Sequence, residues 1–320
     1  MSNTPAPSST SANSARPYVG RFAPSPTGPL HFGSLISALA SFLDARAQQG
    51  LWLVRIEDID PPREQAGAST DILNCLEAHG LLWDGPVLYQ SQRHDLYREA
   101  AQNLVAQHRA FYCTCSRAQL MGQSVYPGLC RAHFVAPVKP HAIRVRVPAE
   151  VITFDDAVQG SYSEVLERAV GDFVIFRKEQ LPAYQLAVVI DDAAQNVTHV
   201  VRGCDLLHNT ARQIFLQQCL QLATPQYAHI PVIANPRGQK LSKQTYAPAL
   251  TAATALENLC AALDFLGQSV PDYRAYRDPE SLLGAAIEHW SLARIPRVRQ
   301  LPDGQRPDAQ LPPSCRHFTH

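Results

Sequence analysis

The sequence has no stretch able to cross a membrane. Its best uncharged run, Leu30 to Leu43, carries His31 and three serines and falls short of the roughly 20 apolar residues a spanning helix needs. A secretory leader is missing too. Residues 2–15 (SNTPAPSSTSANSA) contain no apolar core and read as a flexible tail. Net charge is also absent, since 28 Lys and Arg balance 28 Asp and Glu. That balance excludes a general polycation for nucleic acid but leaves room for a local basic surface. No internal repeat is present. Without export, the eight cysteines face a reducing compartment, where neighbouring thiols suggest a metal rather than disulfides. These absences point to a soluble, cytoplasmic protein with no membrane partner.

What is present is ample apolar material. A hydrophobic content of 46% over 320 residues excludes a wholly disordered chain and allows about two domains. Order is expected from Tyr18, where Tyr-Val-Gly-Arg-Phe reads as a strand broken by the Pro24, Pro26, Gly28, Pro29 cluster. A helix follows from about Gly33, with Leu35, Leu39, Phe42 and Leu43 on one face and Ser34, Ser37, Ala38 and Ser41 on the other. Leu51–Ile56 reads as the next strand, giving a β-α-β unit. Helical patterns recur at about 65–79, ending at Gly80, and at 93–108. Short β-like pieces lie at 143–147 and 173–176, and strands are expected at 197–202 and 229–234 around a helix at 209–222. After Lys243 only helical patterns appear, at about 249–267 and 279–293. The pattern predicts an α/β fold with a parallel sheet interrupted by an insertion.

Two segments carry the first chemical signal. Arg21-Phe-Ala-Pro-Ser-Pro-Thr-Gly-Pro-Leu-His-Phe-Gly-Ser34 sets a Pro/Gly loop between a strand and a helix start. Free N–H groups and the helix dipole there favour a phosphate, and His31 can donate to one as charge builds. Lys240-Leu-Ser-Lys-Gln244 places two lysines on a loop able to close over a triphosphate. Either alone reads more readily as an ordinary turn or a solvated loop; together they favour a nucleotide site.

The pair resembles the HIGH-type and KMSKS-type signatures of the class I aminoacyl-tRNA synthetases. Arg21-Phe-Ala-Pro-Ser-Pro-Thr-Gly and Arg55-Ile-Glu-Asp-Ile-Asp60, followed by Pro61 and Arg63, look like the glutamyl branch. The resemblance runs from about residue 18 to 295. It implies a Rossmann-type parallel sheet with an inserted zinc-bearing domain and a short C-terminal helical stem-contact region. The implied boundaries are a tail at 1–17, a first catalytic half at 18–110 and an acceptor-type insertion at 111–180. A second catalytic half follows at 181–245, then the helical region at 246–299 and a tail at 300–320. His31 and Lys243 take the catalytic roles, with Gly33, Ser34 and Lys240 joining them around ATP and its Mg²⁺. Ser34 stands where the signature has a second His, and Gln244 where it ends in Ser; both read as tuning.

The implied amino-acid pocket is for L-glutamate. Two carboxylates and an ammonium require cations, an anion and neutral donors. Arg21, Ser25 and Arg202 supply donors, Glu57 takes the ammonium, Tyr184 offers a hydroxyl, and the backbone of Phe22, Ala23 and Pro24 lines the wall. Which arginine meets the side-chain carboxylate stays open at this point.

Cys113, Cys115 and Cys130 lie within 18 residues and could hold a tetrahedral zinc if a fourth ligand joins them. Chemistry alone favours His133, in a C-x₂-H spacing. The resemblance favours Tyr126, because Cys-x-Cys-x₁₀-Tyr-x₃-Cys looks like the zinc site of queuosine-directed and some other glutamyl synthetases. The zinc, one per chain, would be structural.

A full glutamyl-tRNA synthetase carries an anticodon-binding domain after the KMSKS-type loop, and only 77 residues follow Lys243. The outline is therefore similar to the truncated, queuosine-directed branch of the family. That likeness implies glutamyl-adenylate formation and transfer of glutamate to the queuosine cyclopentenediol at the wobble position of tRNA(Asp), by a monomer. The alternatives are a small glutamyl-tRNA synthetase charging tRNA(Glu) and a non-catalytic zinc and RNA-binding paralogue.

Overall fold

Strand β1 (Val19–Phe22) is buried at all four positions, as a parallel strand covered on both faces must be. The computed structural model describes residues 17–234, 250–269 and 272–302. Helix α1 (Phe32–Ala47) follows β1, and its buried positions wrap most of the helix because it lies between the sheet and the C-terminal helices. Strand β2 (Leu51–Ile56) pairs in parallel with β1, with Arg21 opposite Leu53. Helix α2 (Ala68–Ala78), the short β3 (Leu88–Tyr89) and α3 (His94–Ala106) complete the first half.

The next strands are β4 (Ala110–Cys113), β5 (Ala142–Val145), β6 (Val151–Asp156) and β7 (Gly160–Val165). A single turn, α4 (Leu166–Ala169), leads to β8 (Val174–Phe176). The chain then continues through α5 (Tyr184–Ala194), β9 (His199–Gly203), α6 (Leu207–Leu220), β10 (Gln226–Ile230) and β11 (Val232–Ala234). Helices α7 (Ala255–Phe265) and α8 (Pro279–Glu288) and strand β12 (Gln300–Pro302) close the described chain.

The strands form two ladders, β1-β2-β3 and β7-β6-β10-β9, and the only antiparallel pair in them is β6–β7. Thr198 joins the ladders: its N–H donates to Val19 O at 2.9 Å and its hydroxyl accepts from Val19 N–H at 2.8 Å. The start of β9 therefore lies beside the start of β1, and the crevice where parallel α/β sheets place their ligands opens at the other, carboxyl, ends of these strands. Within 111–180, β4, β5 and β8 make a separate antiparallel sheet. The β6–β7 hairpin, from the same stretch, instead joins β10 through Tyr227 and Asp156.

Three sequence expectations need correction. The run 229–234 is two strands, because Pro231 cannot donate to a ladder and separates β10 from β11. The chain after Lys243 is not only helical, and the tail expected from 300 starts with a strand. Gln300–Pro302 pairs in parallel with Val232–Ala234. The helix expected over 279–293 stops at Glu288, and Trp290 beyond it donates its indole N–H to Asp44 of α1 at 2.9 Å. The other carboxylate oxygen of Asp44 accepts from the Tyr18 hydroxyl at 2.5 Å. One buried carboxylate thus pins the first strand and the last helices to α1. Among the described residues no helix is long and apolar enough to cross a membrane.

Candidate active site and thiol cluster

The carboxyl ends of β1, β2, β9 and β10 open into a cavity of about 640 Å³ whose walls include Arg21, Ser25, His31, Glu57, Tyr184 and Arg202. The structure therefore brings together the sequence-chosen residues that it describes. Lys240 and Lys243 lie outside the described residues.

His31 caps α1. It sits in extended backbone, and its Nδ1 accepts the Ser34 N–H at 3.3 Å. The Ser34 hydroxyl lies 3.1 Å from the other ring nitrogen, so the residue in place of the second signature histidine braces the first. Space at Gly33 is tight where the helix start meets β11. A Cβ there would come within 3.3 Å of both the His31 ring and Ile233.

On the opposite wall, charge is arranged by α5. Asp192 accepts from Arg55 at 2.8 Å and from Arg21 at 3.3 Å. Arg55 also reaches Gln195 at 2.8 Å and Glu57 at 3.3 Å. Burial alone would raise the Asp192 carboxyl, but Arg21 and Arg55 more than offset it and hold it below its ordinary value. Glu57 goes the other way. Burial raises it to about 6 despite Arg55 and Arg21, with Asp192 adding to the rise. Neighbouring Asp191 ties α5 to α3, accepting from Gln90 at 2.8 Å, Arg93 at 2.7 Å and the Tyr97 hydroxyl at 2.7 Å.

Arg202 is held differently. Its Nε donates to His229 at 3.0 Å and one Nη to the Thr210 hydroxyl at 2.8 Å. Its plane lies 5.5 Å from the Tyr227 ring centre. The remaining arm, Nη1, is buried without a hydrogen-bond partner among the described residues. A buried donor left this way is costly unless a ligand meets it.

Sequence reading quoted Arg55 within a motif without giving it a task, and it missed Asp192, Thr210 and His229 altogether. One signal was legible: two adjacent aspartates break an otherwise apolar helix face at 184–194.

A second cavity of about 370 Å³ adjoins the first, shares Ser25, Thr27, Glu57, Arg63 and Tyr184 with it, and extends to Asp60 and Arg177. Asp60 is bridged there by Arg63 and by Arg177, the latter at 3.2 Å.

The three thiols meet at the end of β4. The sulfurs of Cys113, Cys115 and Cys130 lie within 4.8 Å of one another. The Tyr126 hydroxyl is 3.5 Å from Cys113 Sγ and 3.6 Å from Cys115 Sγ. His133 is exposed, and no histidine belongs to the ligand group among the described residues. Burial by itself would raise the Cys130 thiol, but hydrogen bonds from Tyr126, the Thr114 backbone and the neighbouring thiols bring it down to about 7. Burial pushes the Cys115 thiol the other way, up to about 11, but three soft sulfurs this close together suit a thiophilic cation.

Residues 18–125 and 131–258 match the family "tRNA synthetases class I (E and Q), catalytic domain". A Glutamyl-Q tRNA(Asp) synthetase from Thiobacillus denitrificans is 53% identical over 285 residues, covering 87% of this chain and 95% of its own length. One from Pseudomonas syringae pv. syringae is 50% identical over 288 residues, covering 90% and 97%. Among solved structures, a glutamate tRNA ligase from Elizabethkingia meningosepticum in complex with its amino acid aligns with a TM-score of 0.75 at 25% identity. The alignment covers 88% of this chain, and the chain spans 66% of that ligase.

Proposed function

The chain belongs to the class I tRNA synthetases of the glutamate and glutamine group, and from that premise we propose that it activates L-glutamate with ATP and passes it to queuosine in tRNA(Asp). The observation that carries the amino-acid half is that Arg202 lines the cavity together with Glu57 while one of its guanidinium arms has no hydrogen-bond partner among the described residues. Arg21 is engaged by Asp192, whereas both hydrogen-bonding partners of Arg202 are neutral, His229 staying unprotonated with its pKa at about 4. Arg202 therefore takes the side-chain carboxylate, and Glu57, ionised at neutral pH, takes the α-ammonium. Arg21, Ser25 and the Phe22–Pro24 backbone line the wall beside the α-carboxylate, and Tyr184 closes the side.

His31, Gly33 and Ser34 receive the ATP phosphates at the start of α1, where N–H groups and the helix dipole favour an anion. Lys240 and Lys243 follow β11 in sequence and come to the leaving pyrophosphate. Mg²⁺, carried in with ATP, neutralises phosphate charge. The glutamate α-carboxylate attacks the α-phosphorus, forming an acyl–adenylate bond as pyrophosphate leaves. No protein nucleophile is required.

For the second step, the cavity beyond Glu57 and Tyr184 offers the acceptor nucleoside a way to the activated carbonyl. A hydroxyl of the cyclopentenediol attacks it, and AMP leaves. The names of relatives at about half identity favour this acceptor over a tRNA 3′ end. Cys113, Cys115, Cys130 and Tyr126 hold one zinc, and the proximity of the Tyr126 hydroxyl to two of the sulfurs supports it over His133. The metal would fix the 111–135 loop. The setting is the cytoplasm, where tRNA is modified.

Labelled glutamate and ATP, offered with tRNA(Asp) carrying queuosine, tRNA(Asp) lacking it and tRNA(Glu), test the reading. Label is expected in the first alone, and it should survive enzymatic removal of the 3′-terminal nucleotides. Labelling of tRNA(Glu) at its 3′ end would replace this reading with that of an ordinary small synthetase.

A further inference from the structure

Arg202 projects from β9, but the groups that aim it lie on α6 and β10 and, behind them, on β6. Its guanidinium has only donors, so the His229 nitrogen that meets it, Nε2 at 3.0 Å, must be bare. The Thr210 hydroxyl lies 3.1 Å from the same nitrogen. On the far side of the ring, Nδ1 is 2.5 Å from Asp156 Oδ2 and carries the proton. His229 is thus neutral and locked in one tautomer, with no exposure to solvent. Burial keeps it so, holding its pKa down to about 4 although the Asp156 contact pulls upward.

Asp156 is itself fixed. Its Oδ1 accepts the backbone N–H groups of Val158, Gln159 and His229 at 3.0, 2.9 and 3.0 Å. The turn that holds it is anchored by Gln159, whose amide donates to the His229 carbonyl at 2.9 Å and to the Val298 carbonyl at 3.2 Å. The β6–β7 hairpin, which lies at the sheet edge away from the cavity, therefore reaches the site through one buried line of side chains.

We propose that Asp156 and His229 are positioning residues: they hold the Arg202 guanidinium in place at the cavity wall and leave its charge available to choose glutamate over glutamine. The inference rests on the glutamate reading of the cavity. A carboxylate in the place of His229 would neutralise Arg202 before substrate arrived, as Asp192 does for Arg21 and Arg55. A neutral imidazole fixes the same geometry without that loss. Selectivity is a difference between two ligands, and only the charged one gains from an uncompensated guanidinium.

The experiment is glutamate-dependent ATP–pyrophosphate exchange on the full chain with His229→Leu and His229→Gln, glutamine being the competing substrate. His229→Leu should raise the glutamate KM about tenfold or more, leave the ATP KM near wild type and narrow the preference over glutamine. His229→Gln keeps an acceptor for Arg202 and a donor for Asp156, so it should recover most of the loss. A folded His229→Leu protein with wild-type glutamate KM, or one whose ATP KM rises equally, overturns the proposal; so does failure of His229→Gln to rescue. If His229→Leu does not fold, nitrogen-15 spectra of histidine-labelled wild-type protein decide. His229 should show a protonated Nδ1 and a bare Nε2 at neutral pH, and the opposite tautomer sinks the idea. Wild-type protein without glutamate-dependent exchange would instead refute the functional reading beneath it.

Discussion

The amino-acid cavity and the thiol loop both sit at strand ends, but in different sheets, and they are held in place on different terms. Around the cavity, the buried arginines are anchored by partners from other elements: Arg21 and Arg55 by Asp192 on α5, Arg202 by His229 on β10. The thiol loop takes Cys113 from β4 and the rest from turns, and its apolar support is Phe111 with Leu120, Tyr126 and Phe134 around it. One region is preorganised by the core. The other is tied to its surroundings by Arg131, which donates to Asp172 at 2.7 and 2.8 Å, and by Lys178, which donates to the Thr114 and Cys115 carbonyls, but its turns close on three sulfurs and so depend also on what these hold.

Breaking the cavity side should have the largest effect. Arg55→Met removes the fully buried cation between Asp192 and Glu57, leaving carboxylates without it. Urea unfolding should show a loss of about 3–5 kcal/mol, which added zinc does not restore. Next comes the chemistry itself. Lys243→Ala should reduce pyrophosphate exchange by about 10²-fold, with glutamate affinity, measured by calorimetry, nearly unchanged. Wild-type exchange in that protein would remove Lys243 from the mechanism.

The thiol loop should respond separately. Cys130→Ser, or a strong chelator, should release one zinc per chain and expose the amides of 111–135 to hydrogen exchange. The glutamate KM should hardly move, and a large rise would mean the two regions are coupled after all. The smallest effect sharpens the electrostatics. As pH falls through about 6, Glu57 in the free protein takes up a proton and can no longer hold the ammonium. The kcat/KM for glutamate should then decline, approaching tenfold per pH unit. Glu57→Gln should be slow at all pH values and lack this limb.

Much of the cavity was legible because its first residues are local. The strand, Pro/Gly loop and helix from Tyr18 to Leu43 read directly from alternation and spacing, and the residues resembling the glutamyl branch fell where the strands end. What could not be read were partnerships across the chain. Arg55 looks like one more strand-end charge until α5 brings Asp192 to it from 137 residues away. His229 is a lone histidine in an apolar strand, the kind that usually packs without a role, and only the hairpin carrying Asp156 gives it one. Strand β12 is three residues with a proline at its end, which no local pattern marks as a strand. Its partner, β11, was fused in the reading with β10 because hydrophobicity continues through Pro231.

The hydrogen bonds between Val19 and Thr198 join residues 179 apart in the chain, and this has a consequence in time. Strand β1 is among the first described segments to leave the ribosome, and its neighbour β9 is made much later. At bacterial rates of about 5–20 residues per second, that edge waits roughly 10–35 s for its partner. During the wait, β1 and β2 offer a buried-type apolar strand with one open side, the sort of edge that other chains can pair with. The seam beside the crevice that later receives substrate thus stays open through most of synthesis, and long-range parallel pairing of this kind is slow. Shielding of the nascent 18–56 unit during that wait would therefore protect the yield of folded protein.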